Sequence, residues 1–447
     1  VPRKGRGELR EKPHRRSADD APHGVQGAEP LEREGKGRGG GGETNHSTPP
    51  QSGGPLAEAP RTHDTGPVRT VRPTPTTVTT ALALAAGLAG ATGLAAGRLA
   101  ADAALKAPPG RPLPTEPRLT VHATAAGRIT LTRALASRRP GTYGLAGHGS
   151  HAVVGQVLTG TPHSADTVVR RLERVTHGTL ETGDRVWLTP SLHIGDPGTA
   201  LGLDYTDVDV PGELGPLPAW FVPGVRDMWV IAVHGLGATR EHAMNLMRFW
   251  NRNHLTVLAL SHRGDAGAPR SPDGLNHLGD TEWRDVDAAI QYAVRHGARQ
   301  VVLHGWSTGA TMALTAAVRS ELRDRVVGLV LDSPVLDREA TVRALAAARH
   351  TPGVLLPLAV RAAQGKARWD AERLRRVVDP GRLTKPTLIF HGPRDAVAPW
   401  GASRRLAEAK EGLVALHEVR EGVHGAMWNA DPEGYEEALG RFLTPLV

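Results

Sequence analysis

The sequence predicts an α/β protein over residues 201–447: a mostly parallel sheet of eight strands with helices on both faces. Three observations predict it. After about residue 203, short apolar and β-branched runs alternate with segments of helical period, the pattern of a sheet covered on both sides. The first two runs follow each other closely, as an antiparallel pair does. The run 299–304 ends in Gly305-Trp306-Ser307-Thr308-Gly309, a glycine-bracketed turn between a strand and a helix.

Taken in order, residues 1–76 are rich in Gly, Pro, Arg, Glu and Ser and hold few large apolar residues. Such a segment buries too little surface to offset its ordering entropy, so a disordered low-complexity tail is expected. The first residue is Val rather than Met, and a native start near Val68 or Val71 is the expectation. No charged residue occurs from 74 to 97, between Arg72 and Arg98. A hydrophobic helix is expected over 77–106. It is read as a membrane anchor through 77–97, or as a secretory signal with small residues around Ala101 for cleavage; a soluble Ala-rich helix is the third reading. The protein is therefore expected to be membrane-anchored or exported rather than cytoplasmic.

Residues 107–200 are expected to form a Pro-rich linker (107–117) and a small β-rich module. The strand-like runs are 119–123, 128–132, 152–158, 167–172 and 185–188. No residue in this module announces any chemistry. The strands of the larger domain are placed at 204–210, 217–222, 228–233, 257–260, 301–304, 326–331, 387–390 and 413–419. Between them, 281–296 carries Trp283, Val286, Ala289, Ile290 and Ala293 at helical spacing.

Composition excludes several classes. Lys and Arg number 54 against 46 Asp and Glu, a formal charge of +8, but the two signs are interspersed. No basic stripe with interleaved aromatics occurs, so nucleic acid is not an expected partner. Cysteine is absent, which removes disulfides, thiolate metal sites and Cys nucleophiles. His148 and His151 have no third ligand nearby, and no metal site is expected.

The chemistry gathers around Ser307. The turn at 305–309 is the nucleophile elbow, in which Gly305 and Gly309 let a strand, a sharp turn and a helix crowd together. The run 228–233 ends in His234-Gly235-Leu236-Gly237, where Gly235 lets backbone amides turn inward. The N–H groups of Leu236 and Thr308 are the expected oxyanion donors. A serine hydroxyl needs a base, and in this arrangement the chain order is Ser, acid, His. His424, in the loop after the last strand, is the expected base; His417 falls within a strand pattern. Asp395, after the penultimate strand, is the expected acid, with Asp332 as the alternative.

These residues resemble the α/β-hydrolase superfamily over about 203–447, in particular its serine aminopeptidase-like and monoacylglycerol-lipase-like branch. The resemblance implies an α/β-hydrolase fold, a Ser-His-Asp triad of Ser307, His424 and Asp395, no metal and no organic cofactor. It implies a serine hydrolase that cleaves carboxylic esters of small-molecule acyl substrates through an acyl-enzyme. An aminopeptidase-like peptidase or a thioesterase is the alternative enzyme. A catalytically silent, membrane-tethered binding protein is the alternative of another class. The insertion at about 338–380 lies where such hydrolases carry a helical lid, with an apolar run at 353–360. Trp306, Trp400 and Trp428 are expected to rim the pocket.

Overall fold

The computed structural model describes residues 95–446, apart from 96, 100, 103, 104, 378 and 380. The tail 1–76 and nearly all of the hydrophobic segment 77–97 lie outside the described residues. The expectation of membrane anchoring or export does not stand: among the described residues no helix is long and apolar enough to cross a membrane. The described end of that segment has a different use for its apolar side chains. Ala101 and Leu105 are buried against Leu236, Leu278, Val342 and Val360, and Asp102 pairs with Lys366.

Residues 119–189 close into a six-stranded antiparallel barrel. Its strands are β1 (Leu119–Ala125), β2 (Arg128–Thr132), β3 (Tyr143–Ala146), β4 (His151–Val157), β5 (Thr167–His177) and β6 (Arg185–Thr189), in the order β1-β2-β5-β4-β3-β6. Closure leaves no unpaired edge. Alternate residues fill the interior, among them Leu119, Val121, Ile129, Leu131, Val154 and Leu188. Arg170 is also fully buried there. Its guanidinium donates to the carbonyls of Gly155, Ser137, Arg139 and Gly141, which fixes the loop between β2 and β3. Removal from water lowers its pKa to about 10.

The short helix α1 (Pro197–Leu201) leads into an eight-stranded sheet. Its strands are β7 (Thr206–Gly212), β8 (Gly215–Val222), β9 (Met228–Val233), β10 (Thr256–Leu260), β11 (Gln300–Trp306), β12 (Val326–Asp332), β13 (Thr387–His391) and β14 (Val414–Glu418). The order is β14-β13-β12-β11-β9-β10-β8-β7. Strands β9 to β14 run parallel, and β8 and β7 add antiparallel partners at one edge. Every residue of β9, β10 and β13 is buried, as a strand covered on both faces requires.

One face is covered by α3 (Trp283–Arg295), α4 (Thr308–Arg319) and α8 (Trp400–Ala409). The other is covered by α2 (Met244–Arg252) and α10 (Pro432–Leu443). Between β12 and β13 the chain makes α5 (Arg338–Ala347), α6 (Leu356–Ala367) and α7 (Ala371–Val377). A short α9 (Met427–Ala430) precedes α10.

Barrel and sheet share a core. Ala426 and Val423, on either side of His424, pack into the barrel's interior cluster. Partly buried hydrogen bonds add direction to that contact: Asn429 Nδ2 donates to the carbonyls of Thr142 and Pro190 at 2.9 Å each, and Asn245 Nδ2 donates to Pro190 at 2.9 Å.

Candidate active site

Strand β11 runs straight into Ser307, and α4 begins at Thr308. Ser307 sits at φ 54° and ψ −119°, a strained backbone for a residue with a side chain, costing on the order of 1–3 kcal/mol. Two glycines make room for it. A Cβ on Gly305 would collide with the backbone of Ala310, and one on Gly309 with the carbonyls of Val233 and His234. Neither glycine has a positive φ, so close approach is what excludes larger residues here. A Cβ on Gly235 would lie 2.5 Å from the Cβ of Ser307, which sets the 235–237 turn directly against the serine.

Ser307 Oγ lies 2.7 Å from His424 Nε2, and His424 Nδ1 lies 2.8 Å from Asp395 Oδ2. A carboxylate only accepts, so Nδ1 carries the proton and Nε2 is left as the acceptor for the serine hydroxyl. The Asp395 side chain is fully buried and both its oxygens are engaged. Its Oδ2 also accepts from His391 Nε2 at 3.0 Å, and its Oδ1 accepts from the amides of Val397 and Ala398 at 2.8 Å each. Burial alone would raise this carboxyl's pKa, but the facing His424 and His391 imidazoles outweigh burial and hold it well below the usual carboxylate range. His417 stands apart, half-buried on β14 beside the Phe390 ring.

The alternative acid, Asp332, is not brought within bonding distance of His424. Its Oδ1 accepts from Ser333 Oγ at 2.7 Å, and Ser333 Oγ accepts from the Gly425 amide at 2.9 Å. Asp332 thus supports the loop that carries His424. Burial is the main reason its pKa is raised to about 7. Folded Asp332 therefore keeps a proton that an unfolded Asp releases near ~3.9. The stability contributed is complete below about pH 4 and is lost as pH rises to about 7. Asp332→Asn is expected to show a smaller drop in Tm between pH 5 and pH 8 than the parent. Parallel Tm profiles for the two chains would refute this.

Two buried histidines to which the sequence assigned no role complete the wall behind Gly235. His234 Nε2 donates to Asp265 Oδ2 at 2.7 Å, and its Nδ1 faces the Gly235 carbonyl at 3.1 Å. Burial pushes the His234 pKa down, yet the Asp265 carboxylate outweighs it and the pKa is raised. His234, His262 and Asp265 offer ligand atoms within 4.8 Å of one another, close enough to hold a cation. Asp265 Oδ2, however, is already shared between His234 and the His262 amide at 2.9 Å, so these contacts are accounted for as an ion pair bracing the turn. His242 is the second such residue. It packs on Trp306 with ring centroids 4.7 Å apart. Burial drives its pKa down to about 3, which leaves it neutral beside the site.

A cavity of about 220 Å³ opens onto Ser307 and His424. Its lining departs from expectation. No described residue of 338–380 borders it, so the helical lid is not observed. Helices α5 and α6 instead direct Val342, Leu345, Val360 and Ala363 against Ala101, Leu105 and Leu278, behind the 235–237 turn. The facing wall comes from the linker (Gly110–Leu113, Thr115, Glu116) and from the barrel (Trp187–Ser191). Of the three tryptophans, Trp306 borders the cavity, whereas Trp400 and Trp428 do not.

A parallel sheet flanked by helices, with a strained serine between β11 and α4 and a histidine and an aspartate reaching it from later loops, defines the α/β-hydrolase class. Residues 230–444 match the model of the alpha/beta hydrolase family. Residues 120–189, the barrel, match a model described as a domain of unknown function (DUF8805). No curated protein matches the chain. Among solved structures, the Pyrococcus furiosus esterase Pf2001 is similar at 20% identity, covering 56% of this chain and 96% of that one, with a TM-score of 0.46. XC6422 of Xanthomonas campestris, described as an a/b serine hydrolase without lid, is similar at 18% identity over 55% and 95%, TM-score 0.40. The monoacylglycerol lipase of Paleococcus ferrophilus is similar at 20% identity over 52% and 99%, TM-score 0.39.

Proposed function

We propose that the protein is a serine hydrolase that cleaves carboxylic esters through an acyl-enzyme. The observation that carries this reading is the chain of contacts from Ser307 Oγ through His424 to Asp395, at 2.7 and 2.8 Å. Ser307 Oγ attacks the ester carbonyl carbon while His424 Nε2 takes its proton. The amides of Leu236 and Thr308 receive the oxyanion; the latter heads a helix, where the first N–H groups lack intrahelical partners. His424 then returns the proton to the departing alkoxide as the C–O bond breaks. Water then adds to the acyl carbonyl carbon as His424 takes one of its protons, the bond from that carbon to Ser307 Oγ breaks, and His424 passes the proton to Oγ as the carboxylic acid leaves.

An ester is favoured over an N-terminal peptide by the state of the acids at the cavity. Glu116 is bound by Arg139 Nη1 at 2.8 Å, and Glu241 accepts from the Gly195 amide and the Thr239 hydroxyl. The Glu116 charge is met by Arg139, and each Glu241 oxygen already accepts one hydrogen bond, so a substrate ammonium group would have to compete with these partners. The test is labelling of the intact chain with a fluorophosphonate. Labelling is expected in the parent and absent in Ser307→Ala; a folded parent that takes no label, or a Ser307→Ala chain that labels equally, refutes the proposal.

A further inference from the structure

We infer that the acyl group of the substrate is recognised by the barrel and the linker in front of it, and that this wall selects an apolar acyl chain or ring larger than acetyl. The inference rests on the hydrolase reading and adds to it the element that sets specificity.

The first ground is position. Pro112 and Leu113 of the linker, Trp187, Leu188 and Pro190 of the barrel, and Ile194 beyond it border the cavity that holds Ser307 and His424. The described residues of the helical insertion border none of it. At about 220 Å³ the cavity exceeds the ~150 Å³ that accommodates a benzene ring in an apolar protein interior.

The second ground is chemistry. Several polar groups around this wall already satisfy one another, and Arg111, which also lines it, is exposed to solvent. His151 spends Nδ1 on Thr176 Oγ1 and Nε2 on the Ser191 carbonyl. Glu116 and Arg139 close on each other, and Arg394 pairs with Glu421 at 2.8 Å. A ligand there meets hydrocarbon and receives few directed hydrogen bonds, so shape and apolar area decide the fit.

The third ground is rigidity. The Gly110 amide donates to the Gly237 carbonyl at 3.0 Å, which ties the linker to the turn expected to supply an oxyanion amide. Asn429 and Asn245 pin the barrel's Pro190 from the other side. Leu113 lies against Gly237. A wall fixed at both ends holds one shape, and a fixed shape discriminates chain lengths.

The experiment measures kcat/KM on p-nitrophenyl esters from acetate to decanoate in the parent, Leu113→Ala, Leu113→Trp and, in the insertion, Val354→Ser. Leu113 is half-buried at a surface, so both replacements fit the fold. Leu113→Trp is expected to reduce kcat/KM for octanoate at least ~10-fold more than for acetate, and Leu113→Ala to move the preference toward longer chains. Val354→Ser, on an 83% exposed residue, is expected to leave the profile unchanged. Superimposable profiles for the parent and both Leu113 variants overturn the inference, as does a shifted profile for Val354→Ser. A binding arm separates it from the catalytic reading. The Ser307→Ala chain is titrated with 2-decanone by tryptophan emission, and Leu113→Trp is expected to weaken binding about 10-fold or more. Equal binding overturns the wall whether or not the parent takes the fluorophosphonate label.

Discussion

Replacing His424 with Ala is expected to lower turnover of a p-nitrophenyl ester by on the order of 10⁴-fold or more, while His417→Ala stays within a few-fold of the parent. The contrast follows from placement. His424 accepts from Ser307 at 2.7 Å in a half-buried loop, and among the described residues no second imidazole is within hydrogen-bonding distance of that hydroxyl. His242 is nearby, but it is neutral and packed on Trp306. Without a base, the serine hydroxyl is a poor nucleophile at neutral pH, and only the backbone donors and substrate binding remain to help. Steady-state rates on purified chains decide it. Comparable losses in the two variants would move the base away from His424.

The second large effect belongs to Asp395. Asp395→Asn is expected to cost about 10⁴-fold in kcat with little change in KM, whereas Asp332→Asn leaves kcat within roughly 10-fold. The reason is a conflict of donors. Asp395 Oδ1 accepts two amides, and Oδ2 accepts two imidazole N–H groups. Asparagine has one oxygen to offer. If its amide nitrogen faces His424, that ring must move its proton to Nε2 and loses the lone pair that Ser307 needs. If the nitrogen faces Val397 and Ala398, three donors crowd together in a buried site. A fully active Asp395→Asn enzyme would hand the acid's role to Asp332 or remove it altogether.

The centre of the sheet was legible because its strands are buried on both faces and so read as unbroken apolar runs: 228–233 matches β9 residue for residue. The elbow was legible because its glycines answer to a steric demand that only the local chain can meet. What escaped is whatever depends on packing between distant segments. Strand β3 was missed because Tyr143–Ala146 is four residues long and contains a glycine, too short to show a period. Trp187 and Leu113 gave no sign of bordering Ser307, since nothing along the chain says which side of the barrel meets the sheet. Asp265 was missed for the same reason: its partner, His234, is 31 positions away. The insertion carried apolar residues enough for a lid, but composition does not say which neighbour they cover.

Ala426 sits in the barrel's interior two residues from His424, and Val423 packs there from the other side. A fluctuation that opens the barrel must therefore drag the base out of register with the serine. Barrel and sheet are therefore expected to melt in one transition on heating, with the working lifetime of the site set by a module that contributes none of the atoms that move a proton.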